Sequence, residues 1–229
     1  MLILSLDTST TVCSVALHSQ GILLGSYELF TERTSSAMLT TLLNDVVRQA
    51  GYELAQVDAI AVAKGPGSYT GLRIGVSTAK GLCFALDKPL LAINTLAAMA
   101  SQVQAYFPAT YVLCPMLDAR RMEVYCAFYN TSGQELEPTS AQIIDETSFT
   151  GWLTQGPVVF FGDGAAKCRA LLGEHPNAIF PDANVVPSAR TIGKLATVAF
   201  STSQFENLAT FEPFYLKDFM TTQPRKAIL

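Results

Sequence analysis

Three apolar runs fall within the first 28 residues, at 2–6, 12–17 and 22–27, split by Asp7-Thr-Ser-Thr-Thr11 and by Ser19-Gln-Gly21. Runs this short suit strands, and short polar residues between them favour tight turns, so a three-stranded meander is expected. Then the period changes. From 34 to 50, apolar residues recur at Met38, Leu39, Leu42, Leu43, Val46, Val47 and Ala50, a helical spacing that stops at Gly51. A strand at 59–63, a glycine-rich turn at 65–71, a helix to about 86, a strand at 90–93 and a helix opened by Asn94-Thr95 follow. A meander followed by alternating helices and strands predicts an α/β unit, a mixed sheet flanked by helices.

A second, looser unit begins near 111, with strands at 111–117 and 123–129 and a turn at 130–133. Beyond it come a strand at 158–161, a helix after Gly162-Asp-Gly164, and a helix over 189–200 able to pack back on the first unit. The expected division is 1–105, then a smaller unit at 106–220, then a mobile tail at 221–229. A chain of 229 residues gives both units enough length to bury a core.

Charge and cysteine usage exclude several classes. The net charge is −4 and no basic run exceeds Arg120-Arg121, so an independent nucleic-acid binder is not expected. Apolar residues make up 49% and charged residues 15%, a balance that leaves apolar surface for association. The five cysteines, Cys13, Cys83, Cys114, Cys126 and Cys168, form no Cys-x-x-Cys pair and read as reduced core residues of a cytoplasmic protein. The apolar start lacks a basic flank and stops at Asp7, which predicts neither a signal peptide nor a membrane span. His18 and His175 have no paired spacing, so no metal site is expected.

Three segments could carry chemistry. Asp7, Thr8 and Ser9 stand in a turn whose amides and hydroxyls could cradle phosphate while the carboxylate orients hydrated Mg²⁺, although such turns are commonly structural. In Lys64-Gly-Pro-Gly-Ser-Tyr-Thr-Gly-Leu-Arg-Ile-Gly75, the residues Gly65, Gly67, Ser68 and Thr70 precede a helix whose N-terminal amides could hold an anion. It is no P-loop, because Leu72 follows Gly71, and no dinucleotide fingerprint, because Thr70 replaces the third glycine. Gly71, Gly75 and Ala79 repeat every fourth residue, and each helical glycine costs about 1 kcal/mol against alanine. That small face suits packing on the chain's own sheet and contact with another subunit equally. The arc from Met38 to Val47 is about 180° wide, against the roughly 100° one sheet requires, so one edge of that helix is expected to meet a second surface. In Asp118-Ala-Arg-Arg-Met-Glu-Val-Tyr125, Arg120 and Arg121 crowd a hairpin of the phosphate-binding kind; they reach a phosphate on a partner's ligand or form a solvated turn.

Leu4-Ser-Leu-Asp7-Thr-Ser-Thr, Cys13-Ser-Val-Ala-Leu17, Gly65 through Gly75, Leu117 through Tyr125 and Glu212-Pro-Phe-Tyr-Leu-Lys217, in this order, resemble the TsaB (YeaZ) family. The resemblance implies the actin-like ATPase (sugar kinase/Hsp70/actin) fold, two ribonuclease-H-like halves with mixed sheets flanked by helices, the second half reduced. It implies a non-catalytic subunit with no catalytic or metal-binding residue of its own. Such a subunit pairs with its catalytic homologue TsaD, and with the small ATPase TsaE, in making N6-threonylcarbamoyladenosine at position 37 of tRNAs that read codons beginning with A. The metal and the transfer chemistry would belong to TsaD; no cofactor is implied on the isolated chain, and ATP or ADP with Mg²⁺ would sit only at the complex interface. A homodimer is implied when the chain is alone, tRNA contact only through the complex, and association through the first two long helices, which hold Met38, Leu39, Leu42, Leu43, Val46, Val47, Gly71, Gly75 and Ala79. One departure is Thr34-Ser-Ser-Ala37, where many members carry a histidine. Two other readings are a self-sufficient ATP-dependent phosphotransferase or ATPase using Asp7, and a glycoprotein peptidase, for which no metal ligands are visible.

Overall fold

The protein was analysed as a computed structural model that describes residues 1–30 and 36–217; the readings made at Thr34 and Ser35 and for the tail at 221–229 lie outside the described residues. The first half runs β1 (Leu2–Asp7), β2 (Val12–Ser19), β3 (Ile22–Phe30), α1 (Ser36–Gln49), β4 (Ala59–Gly65), α2 (Tyr69–Leu86), β5 (Leu90–Asn94) and α3 (Thr95–Val103). The second runs β6 (Val112–Asp118), β7 (Glu123–Asn130), β8 (Glu135–Ile143), α4 (Thr150–Leu153), β9 (Val158–Phe161), α5 (Ala165–Leu172), β10 (Ala178–Ile179) and α6 (Ala189–Ser201). The sheets are ordered β3-β2-β1-β4-β5 and β10-β9-β6-β7-β8. These are one topology used twice. In each, the first strand is central, the second and third continue antiparallel on one side, and the fourth and fifth run parallel on the other.

The second copy is the reduced one: α4 has 4 residues where α1 has 14, and β10 has 2 where β5 has 5. Neither α4, β8 nor β10 was expected from sequence. β8 is an edge strand with one paired side, so its exposure does not alternate cleanly and its apolar pattern is faint. The other two are shorter than a period needs to repeat. No helix among the described residues is long and apolar enough to cross a membrane.

Period-2 alternation divides the core into layers. Leu4, Leu6, Val15 and Leu17 face α1 and α2, meeting Leu39, Leu43, Val46, Val47, Val76 and Ala79. Ile3, Ala59, Ala61 and Leu91 face the opposite way, onto Ile192, Ala196 and Ala199 of α6. On the second sheet, Cys114, Met116, Phe128 and Phe160 meet Leu153, Cys168 and Leu172 of α4 and α5, whereas Leu113, Ala127, Val159 and Phe161 meet Leu96, Met99 and Val103 of α3. The last helix of each half has therefore crossed over, α3 onto the second sheet and α6 onto the first. All six residues of β1 are buried because helices from both halves cover it.

Polar pins seat α6. The Ser5 hydroxyl lies 2.9 Å from the Ala189 carbonyl oxygen and 3.0 Å from that of Ala16, and the Ala189 amide donates to Ser14 Oγ at 2.8 Å. Gly193 lets the helix approach: a Cβ there would overlap His18 Nδ1 and lie 2.8 Å from Ser5 Oγ. Overpacking of this kind costs about 1–3 kcal/mol, so Gly193→Ala is expected to lower the unfolding free energy by that amount, seen as a lower urea midpoint with little change in slope. A midpoint equal to the parent's would mean that α6 can lift from the sheet freely.

Candidate functional site

The turn between β1 and β2 organises itself first. Asp7 Oδ1 accepts from the Ser9 amide at 2.8 Å and from Ser9 Oγ at 2.6 Å, and Thr10 Oγ1 accepts from the Val12 amide at 3.2 Å. The glycine block then closes over it. The Ser68 amide donates to the Ser9 carbonyl oxygen at 2.6 Å, and Thr8 Oγ1 donates to the Gly71 carbonyl oxygen at 2.7 Å. A Cβ on Gly67 would overlap the Ser9 carbonyl oxygen, one on Gly71 that of Thr8, and one on Gly75 the Thr8 hydroxyl. Ser68 caps α2 with its own side chain, accepting from the Gly71 amide at 3.3 Å. Asp7, Thr8, Ser9, Gly67 and Ser68 thus form one cluster knitted to itself, with Thr70 exposed beyond it, while Gly65 lies against the Phe214 carbonyl and Leu72.

A Mg²⁺–nucleotide does not fit there. Asp7 and Ser9 have no exposed surface and Thr8 has 3%, so these three residues offer no open face to a phosphate. Asp7 Oδ2 is buried without a hydrogen-bond partner. Burial pushes the Asp7 carboxyl up to about 6, against the opposing pull of the hydrogen bonds from Ser9.

The equivalent turn of the second half, between β6 and β7, is closed by lysines. Lys167 Nζ donates to Asp118 Oδ1 at 2.6 Å and to the Arg121 and Glu123 carbonyl oxygens at 2.7 Å. Lys217 bonds the Glu123 carboxylate. Partial burial alone would raise the Asp118 pKa, but the Lys167 hydrogen bond and the Arg120 amide outweigh it and hold the carboxyl below its usual range. Arg120 and Arg121 stand exposed with φ of 70° and 52°. Gly162-Asp-Gly164 is the turn into α5, and the Asp163 carboxylate accepts from the Asp118 amide at 3.0 Å. Lys167 gives no signal in the sequence because a single lysine carries no motif, and Lys217 enters there only as the end of the Glu212–Lys217 segment, with no role of its own.

Between the two turns runs the segment after α6. The Phe214 amide donates to the Lys64 carbonyl oxygen at 2.7 Å, the Tyr215 ring lies 4.9 Å from that of Tyr69, and Arg73 Nε donates to the Tyr215 hydroxyl at 3.3 Å. A cavity of only about 40 Å³ remains among Pro66, Tyr69, Tyr125, Phe214 and Lys217.

The expected association face changes accordingly. Leu39, Leu43, Val46 and Val47 are at most 2% exposed in the first core, because the wide arc of α1 wraps over the sheet; Met38 and Leu42 alone of that set are half-buried. Gly71, Gly75 and Ala79 face the chain's own turn and core, so the small face is an internal seam. On α2, Ile74 and Leu82 are half-buried at the edge of the first core, Thr78 is half-buried, and Gly81 is exposed, with nothing among the described residues within 4 Å of a Cβ placed on it. All five cysteines are buried and none forms a disulfide, and burial raises the Cys83 thiol to about 12.

Two ribonuclease-H-like halves with exchanged final helices and a hairpin turn at the head of each define the actin-like ATPase fold. The activator of 2-hydroxyisocaproyl-CoA dehydratase from Clostridium difficile with bound ADPNP shares the fold at a TM-score of 0.51 and 13% identity, over 89% of this chain and 96% of that one. YeaZ from Pseudomonas aeruginosa is similar throughout: TM-score 0.79, 32% identity, 94% of this chain and 99% of that one. Residues 29–227 match the family described as TsaD, tRNA N6-adenosine threonylcarbamoyltransferase. Over 229 residues the chain is 31% identical to the tRNA threonylcarbamoyladenosine biosynthesis protein TsaB of Escherichia coli (strain K12), covering 95% of each. The chain belongs to the TsaB (YeaZ) family.

Asp7 supplies a test of the sealed turn. Its folded pKa, about 6, exceeds the ordinary 3.8, so its contribution is fully present below about pH 4 and is lost as pH rises through 6. The difference amounts to roughly 3 kcal/mol. Asp7→Asn is expected to flatten the stability profile between pH 4 and 6 in urea titrations; a retained slope would assign the titration to another group.

Proposed function

We propose that this chain is a non-catalytic subunit that pairs with the catalytic homologue TsaD, and with TsaE, to form N6-threonylcarbamoyladenosine on tRNA in the cytoplasm. The observation that carries this reading is the burial of Asp7, Thr8 and Ser9 beneath the chain's own glycine block. A self-sufficient phosphotransferase would need Asp7 open to a metal-bound nucleotide, and Asp7 has no exposed surface. Transfer chemistry and metal then fall to the partner, and what this chain contributes is a surface.

That surface is the outer side of α1 and α2, with Met38 and Leu42 on one helix and Ile74, Thr78, Gly81 and Leu82 on the other. Gly81 is its marker. A glycine inside an 18-residue helix lowers helix stability by about 1 kcal/mol relative to alanine, yet open space surrounds it and no internal contact requires it. A bare Cα there allows a second helix to approach closely.

The first test is tRNA threonylcarbamoylation reconstituted from TsaD, TsaE, ATP, pre-made threonylcarbamoyl donor and tRNA. Modification is expected only when this chain is added, and none from the chain alone; full activity without it would refute the role. The surface is tested separately by Gly81→Leu, which should leave the monomer as stable as the parent or slightly more so while abolishing co-purification with TsaD. Pairing at full stoichiometry would move the contact to another face.

A further inference from the structure

A cavity of about 520 Å³ lies on the other side of the first sheet, between β3, the end of α3 and the start of α6. Its volume falls within the range of small-molecule sites. Although the chain carries a net charge of −4, the cavity's charged lining is Arg190, Lys194 and Glu28, a local excess of cation. Arg190 and Lys194 stand four residues apart on α6 and so share one face. Both are exposed, and neither takes part in an ion pair among the described residues. Glu28 is engaged by the Ser188 hydroxyl, which ties it to the wall. Phe30, 67% exposed, stands at the rim.

Each feature recognises a different part of one kind of molecule. A guanidinium and an ammonium together hold a phosphate, the first by its planar fork and the second as a point charge. An exposed aromatic ring stacks on a base irrespective of its identity. A carboxylate beside them accepts from a sugar hydroxyl. We propose that this cavity binds a nucleotide unit, with Arg190 and Lys194 on the phosphate, Phe30 on the base and Glu28 on the sugar. The proposal is independent of the pairing role argued above, since α6 and β3 lie opposite the α1–α2 face. The shared chemistry has two sources, a free mononucleotide and a nucleotide within an RNA strand.

Calorimetric titration of the full chain with AMP, inorganic phosphate, adenosine and a single-stranded oligoribonucleotide separates them. Binding of AMP is expected to exceed that of phosphate or adenosine, and to weaken about tenfold in each of Arg190→Ala, Lys194→Ala and Phe30→Ala, which change exposed side chains and should fold normally. Binding of the oligoribonucleotide alone, lost in the same variants, would assign the site to RNA. No binding of any of the four, affinities unchanged in the variants, or equal affinity for phosphate and AMP would each overturn the assignment.

Discussion

The crossing of α3 and α6 between the two halves is the constraint on which the other features depend. Each sheet has two apolar faces, and the helices that follow its own strands cover only one. On the first sheet the remaining face is covered by Ile192, Ala196 and Ala199, which come from the far end of the chain. On the second it is covered by Leu96, Met99 and Val103, which come from the first half. Burial of apolar surface is the main favourable contribution to folding, so neither half has a complete core without the other. The serine pins at Ser5 and Ser14 add direction to a contact that is otherwise non-directional, setting where along the sheet α6 begins.

The same head-of-sheet arrangement appears twice, with different chemistry filling it. In the first half, small residues bring backbone against backbone, and the turn at Asp7 is closed by amides and carbonyls. In the second, two lysine side chains close on the turn at Asp118. Backbone closure leaves a carboxyl oxygen buried without a partner, which favours its protonated form; side-chain closure gives a charged pair near solvent, which favours the ionised form. One topology thus holds two aspartates with opposite titration behaviour.

Much of this was legible in the sequence, because period and punctuation carry the information. The meander, the five helices and strands after it, and a helix at α6 follow from apolar spacing, glycines and caps, and the Asp7 turn and the glycine block each stand out as candidate segments. The direction in which a helix face points is not legible. Gly71, Gly75 and Ala79 announce close approach, but the identity of the approaching backbone depends on tertiary register, and it is the Thr8–Ser9 turn of the same chain. Gly81, four residues along from Ser77, reads the same way on paper and faces open space. The wide arc of α1 was likewise a sheet wrapping more of the helix than a flat one would, since sheets twist.

The segment from Phe214 to Lys217 joins the Lys64 carbonyl of the first half to Glu123 of the second. Two bodies linked at a single joint can swing about it, and a cleft between them opens and shuts. Here the halves are fastened at both crossed helices and again across the cleft's mouth, so three separated attachments would have to yield together for any swing. The consequence is mechanical stiffness: whatever binds such a body would meet a shape already set, and little would be lost to ordering motions that were arrested when the chain folded.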